Sequence, residues 1–64
     1  MDIGKRILDY RVQHGISQKE FARRARLSEQ TVNSVENGLQ HPTALTVGKI
    51  EKVIEEGKHD TIRD

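Results

Sequence analysis

Apolar residues recur along this chain at helical spacing, and nowhere do they alternate as a strand requires. Ile3, Ile7 and Tyr10 fall at i, i+4 and i+7, which predicts a first helix over residues 2–14 with these three on its inner face. Asp2 stands near the start, where a carboxylate meets the positive end of the helix dipole. Gly15 follows His14 and suits the left-handed turn that ends a helix. One position breaks the stripe. Arg11, at i+8 from Ile3, lies on the apolar face, so its charge points towards the core and requires a partner there.

The next two elements are short and close together. Ser17-Gln18-Lys19-Glu20 has the form of a capping box, with the serine bonding an early N–H and Glu20 reaching back to the serine's own N–H. Ile16 before the cap and Phe21 beyond it are spaced for a hydrophobic staple. A second helix is expected over 18–25, burying Phe21, Ala22 and Ala25, with alanines small enough to let another helix approach. Arg26-Leu27-Ser28 breaks it: Leu27 plugs the corner and Ser28 caps a third helix over 29–36. Val32 and Val35 face inward there, and Asn37-Gly38 is a stop. Two helices joined by a break too brief to be a loop form a helix-turn-helix, a unit whose second helix enters the major groove of DNA.

After the connector Leu39-Gln40-His41-Pro42, Thr43 opens a fourth helix over 43–56. Val47, Ile50 and Ile54 make its inner face at i, i+3 and i+7. Gly48 inside it costs about 1 kcal/mol relative to alanine, and a close contact with a neighbouring helix is the expected reason for it. Gly57 is expected to end the helix, leaving a polar tail over 58–64, loosely ordered, with Ile62 its one apolar residue. Leu8, Val12, Leu39, Leu45 and Val53 fall off these inner faces. They sit at the edge of the core, or, for Leu39, Leu45 and Val53, in a contact between two copies.

Length and composition narrow the class. With 64 residues the chain is one domain, residues 1–57, small enough for its stability to be marginal. It has no cysteine and no grouping of metal ligands, so neither a disulfide nor a metal supplies the deficit, and dimerisation is the remaining common remedy. His14, His41 and His59 lack ligand spacing. No run of residues is apolar enough to span a membrane, and no hydrophobic segment follows Met1, so a soluble, cytoplasmic protein is expected. The formal net charge is only +1, which is not the profile of a chain that coats nucleic acid by charge alone. Its distribution says more. Residues 17–26 carry Lys19, Arg23, Arg24 and Arg26 against Glu20 alone, whereas residues 43–64 are slightly acidic.

With Val32 and Val35 inward, the third helix leaves Glu29, Gln30, Asn33 and Ser34 facing out, with Thr31 on the flank. No lysine or arginine lies among them. Amides pair bidentately with adenine, and hydroxyls bond either base or meet the thymine methyl, so this face suits base edges better than plain solvent. Glu29 is the odd member, useful mainly against the cytosine amino group. Gln18 begins the second helix, where its amide and the free N–H groups are placed for a phosphate. No serine, histidine and acid grouping suggests catalysis, and no glycine-rich loop suggests a nucleotide, so neither an enzyme nor a cofactor is expected.

These residues carry a resemblance. The first-helix string Ile3-Gly4-Lys5-Arg6-Ile7, then Arg11, Gly15 to Ala22, Leu27-Ser28, Val35 to Gly38 and Pro42 together look like the phage repressor and Cro family, also called the xenobiotic-response-element type. The resemblance covers Ile3 to about Ile54. It implies an all-α fold, a small four- to five-helix bundle of the lambda-repressor kind, acting on double-stranded DNA as a homodimer. It also implies roles. Gln18 and Gln30 match phosphate- and base-contacting positions, Glu29, Asn33 and Ser34 match variable specificity positions, and Asn37 matches a residue whose backbone meets phosphate. Arg11 and Glu36 match a partly buried ion pair joining the first and third helices, in which the arginine also approaches a phosphate. Ser28 and Thr31 complete the expected DNA-facing set. The chain departs from the family in four places. Arg26 stands where glycine is common, residues 39–43 lack the usual basic clamp, Glu51 replaces a small apolar residue, and a fifth apolar helix is missing. The expected role is a transcriptional repressor of a phage, plasmid or bacterial operon. The rivals are an antitoxin-type module with a toxin or antirepressor as protein partner, and an adaptor that does not touch DNA.

Overall fold

Each helix starts where a side-chain oxygen can accept an early backbone N–H. The Asp2 carboxylate accepts from the Gly4 N–H at 3.0 Å, Ser17 Oγ from Glu20 at 3.1 Å, Ser28 Oγ from Thr31 at 3.1 Å and Thr43 Oγ1 from Thr46 at 3.2 Å. The computed structural model describes the backbone of residues 2–63 and the side chains of residues 2–56. These four caps open α1 (Ile3–His14), α2 (Gln18–Ala25), α3 (Glu29–Glu36) and α4 (Ala44–Arg63). No strand occurs among the described residues. The all-α fold expected from the sequence is observed, and the first three helices fall where their patterns place them.

The first three helices end by one device. After α1 the N–H groups of Gly15 and Ile16 return to the carbonyls of Val12 and Arg11. After α2 those of Arg26 and Leu27 return to Arg23 and Ala22, and after α3 those of Gly38 and Leu39 return to Val35 and Ser34. The pivot residue is left-handed each time, with φ of 62° at Gly15, 59° at Arg26 and 71° at Gly38. This is the doubly bonded helix end that glycine makes without strain. Arg26 makes it with a Cβ, at a cost of about 1–2 kcal/mol. Replacing Arg26 with glycine removes that strain but loosens the unfolded chain, so a net gain of roughly 0.5–1 kcal/mol is expected. A urea midpoint that moves up with the slope unchanged is the signature, and a lower midpoint would mean that the arginine side chain outweighs its backbone.

One start differs from its sequence pattern. The Ser17 half of the capping box forms, but the Glu20 carboxylate turns along α2 to Arg23 and Arg24 instead of back to Ser17. Two guanidinium groups within one helical turn outcompete a single backbone N–H for the carboxylate.

The core gathers Ile7 and Tyr10 from α1, Phe21, Ala22 and Ala25 from α2, Val32 and Val35 from α3, and Ile50 and Val53 from α4. Phe21 is fully buried at the centre, and the Tyr10 ring meets it edge-on at 5.5 Å between centroids. Ile3, Ile16, Leu27 and Ile54 pack around this cluster. Ile16 and Leu27 thus take the staple and corner positions assigned to them.

Helix α4 corrects three expectations. Its inner face is Ile50, Val53 and Ile54, and Val47 is only half-buried. Val47 and Val53 flank Ile50 on opposite sides, each about 60° away around the helix, so spacing alone does not choose between them. Packing against α2 as well as α1 selects Val53, which is buried within one copy and unavailable to a second. A side chain at Gly48 would meet nothing within 4 Å, so no close approach explains that glycine. The close approach is at Gly4, where an added Cβ would lie 2.5 Å from the Val35 carbonyl oxygen. The helix also continues through Gly57 to Arg63, because a glycine weakens a helix without ending it unless a turn follows. The expected looseness of residues 58–64 falls where side chains are not described.

Candidate nucleic-acid interface

The Arg11 charge that broke the apolar stripe of α1 is met across the domain. Its Nη1 donates to both Glu36 carboxylate oxygens, at 2.9 and 2.8 Å, and its Nε donates to the Ile16 carbonyl at 3.3 Å. The side chains are 21% and 9% exposed, so the pair is shielded but not sealed. This pairing, implied by the family resemblance, ties the first helix to the last turn of α3.

Glu36 has a further partner that the sequence did not reveal. Gln18 Nε2 donates to Glu36 Oε1 at 2.9 Å, and Gln18 Oε1 accepts from Asn33 Nδ2 at 3.1 Å. Asn37 Nδ2 in turn donates to the Asn33 side-chain oxygen at 3.1 Å and to its carbonyl at 2.9 Å. A continuous chain therefore runs Arg11, Glu36, Gln18, Asn33, Asn37. It spans α1, the start of α2 and the second half of α3, and it fixes the angle between the two helices of the motif. Only the Asn33–Asn37 link, at i and i+4, is local; the other links join different elements, so amide spacing does not reveal them.

The DNA-facing set named from the sequence divides in two. Gln18, Asn33 and Asn37 are engaged in the chain just described, and Ser28 and Thr31 bond each other at 2.8 Å at the start of α3. Glu29, Gln30 and Ser34 make no side-chain hydrogen bond among the described residues, and the first two are exposed. The engaged groups are not exhausted. Gln18 keeps one amide N–H, and Arg11 keeps the two hydrogens of Nη2.

The positive charge on α2 is partly spent internally. Arg23 and Arg24 both bind the Glu20 carboxylate, at 2.6 and 2.9 Å, and their hydrogen bonds hold its pKa down at about 2. Arg24 also donates to the Tyr10 hydroxyl at 3.1 Å, pinning α2 to α1. Glu51 on α4 pairs with Arg6 on α1 at 3.0 Å. Among the described residues no cluster could hold a metal ion, and no helix is long and apolar enough to cross a membrane.

Comparison with known proteins agrees with this geometry at the level of the family. No curated protein and no solved structure matches the chain. A helix-turn-helix family model matches residues 7–58, which takes in α2, the turn, α3 and most of α4. The chain therefore belongs to the XRE/Cro-like helix-turn-helix family of DNA-binding transcription regulators.

Proposed function

We propose that the protein is a sequence-specific repressor that binds a palindromic operator as a homodimer, with α3 lying in the major groove. One observation carries this reading. The outward face of α3 keeps Glu29, Gln30 and Ser34 free of internal partners, while the residues beside them are locked by the chain from Arg11 to Asn37. A rigid frame around free side chains is the arrangement that base readout needs. Gln18, with its remaining N–H at the start of α2, and Arg11, through Nη2, serve the phosphates on either side. Ser28, Thr31 and Asn37 extend that backbone contact. Two copies place their α3 helices in successive major grooves about 34 Å apart. Leu39 and Leu45, 77% and 71% exposed, supply apolar surface for the dimer. Repression follows from occupying a promoter, in the cytoplasm of a bacterium and without any chemical step.

Selection of bound sequences from a random DNA library at two salt concentrations tests this directly. Paired half-sites one helical turn apart are expected, with affinity falling as salt rises. Recovery of no consensus at either salt overturns it. Within the site, Gln30→Ala is expected to cost roughly 1–3 kcal/mol of discrimination at one base pair while leaving the melting temperature unchanged. Equal losses on operator and random DNA would remove Gln30 from the readers.

The antitoxin reading has one observation in its favour. Leu8 and Val12, one turn apart on α1, are 46% and 73% exposed. A protein partner that co-purifies with the chain, and is lost on Val12→Glu, would establish it.

A further inference from the structure

Helix α2 has two functional ends. The reading site uses its start, at Ser17 and Gln18. Arg26 lies nine residues further on, about 13 Å along the axis. At that far end a cleft of about 340 Å³ opens between the turn of the motif and α4. Among the described residues its polar lining is Arg24 and Arg26 from one side and Lys49 and Lys52 from the other, with Glu56 as the one carboxylate. Ala25 and Val53, both buried, supply its apolar surface. None of the proposed base- or phosphate-contacting residues lines it.

Four cations around one small cleft repel one another unless something answers them. Arg24 is answered by Glu20 and Tyr10. Arg26, Lys49 and Lys52 have no ion pair among the described residues. The negative end of α2 does little to relieve them, because the Ala22 and Arg23 carbonyls are taken by the turn. Arg26 also holds a left-handed backbone that glycine would adopt freely, so the chain keeps a cation at the rim at the expense of strain. A volume near 340 Å³ lies at the small end of ligand sites.

We propose that this cleft binds a small dianionic phosphoryl compound, with the Arg26 guanidinium taking two of its oxygens and Lys49 and Lys52 closing on it from α4. Guanidinium geometry matches a phosphoryl face, and the lysines add charge without fixed direction. The ligand would bridge the turn and α4, staple the seam between α2 and α4, and raise stability by binding only the folded state. The proposal is independent of what α3 reads, and its test contains no DNA.

The probe is pyrophosphate, titrated into the full chain against sodium chloride of matched ionic strength. Saturable amide NMR shifts confined to residues 24–27 and 49–56, with a rising melting temperature, are expected. Lys49→Gln with Lys52→Gln should weaken binding roughly tenfold, equivalent to about 1.4 kcal/mol, without altering the helical signal. Arg26→Gly should weaken it similarly while stabilising the free protein, which separates lost binding from lost folding. Inorganic phosphate and a sugar phosphate form two further arms. Equal affinities point to the free anion, and tighter binding of the sugar phosphate points to an organic body on Ala25 and Val53. Shifts that never saturate, that match the chloride control, or that centre on residues 18 and 29–37 overturn the proposal.

Discussion

Glu36→Ala is expected to lower the melting temperature by roughly 10–20 °C. The substitution leaves the Arg11 guanidinium facing the start of α2 with only the Ile16 carbonyl, and it strips the Gln18 amide of its acceptor. Removing one member of a buried pair costs about 3–5 kcal/mol. Arg11 is 21% exposed and can recover some water, so about 2–3 kcal/mol is the better figure here. In a domain this short each kcal/mol moves the midpoint by roughly 4–8 °C. Two companions identify the cause. Glu36→Gln keeps an acceptor and should fall between the two. Arg11→Met with Glu36→Met removes both charges and should recover much of the loss, since an apolar pair of similar volume costs little. A melting temperature unchanged in Glu36→Ala would remove the ion pair from any account of stability. The loss in operator affinity should exceed the loss in stability, because Gln18 and Asn33 are oriented through the same carboxylate.

The parts of this fold that were legible in the sequence are local. Ser17, Ser28, Gly15 and Gly38 act on their own helix ends, so their identities suffice to place α1, α2 and α3. Burial of Phe21, Val32 and Val35 follows from period alone. Two of the errors share one physical origin: they concern which of two equivalent neighbours a tertiary contact selects. Val47 and Val53 flank Ile50 symmetrically, and only the position of α2 distinguishes them. Gly4 and Gly48 look alike as helical glycines, and only the backbone of α3 tells which is crowded. Glu20 has a serine behind it and two arginines ahead, and the choice is local: two charged partners outcompete one backbone N–H. Arg11 and Glu36 were paired through the family resemblance, whereas the spacing said only that Arg11 needed a partner. Gln18 was assigned to phosphate, and its link to Glu36 depends on the angle at which α2 crosses α3.

Gly4 and Gly48 provide the sharpest test of that packing, because alanine at the two positions is expected to have opposite effects. At Gly48 a methyl group enters open space on a helix, so Gly48→Ala should stabilise by about 1 kcal/mol. At Gly4 the same gain in helix propensity is available, but the methyl would sit 2.5 Å from the Val35 carbonyl oxygen, 3.1 Å from Glu36 Cα and 3.2 Å from the Glu36 carbonyl oxygen. All three are backbone atoms of α3, so no side chain can swing aside and the two helices must separate. Overpacking of this kind costs about 1–3 kcal/mol and sometimes more. A net loss of about 2 kcal/mol is expected, near 10 °C in the midpoint. The separation also falls on Glu36, whose carboxylate binds Arg11, so Gly4→Ala should weaken the ion pair as well. Its effect should therefore be less than additive with Glu36→Ala, since the second substitution removes what the first has already loosened. If Gly4→Ala stabilises as Gly48→Ala does, α1 and α3 do not approach as closely as their backbones indicate, and the frame that holds the reading helix is looser than the hydrogen bonds imply.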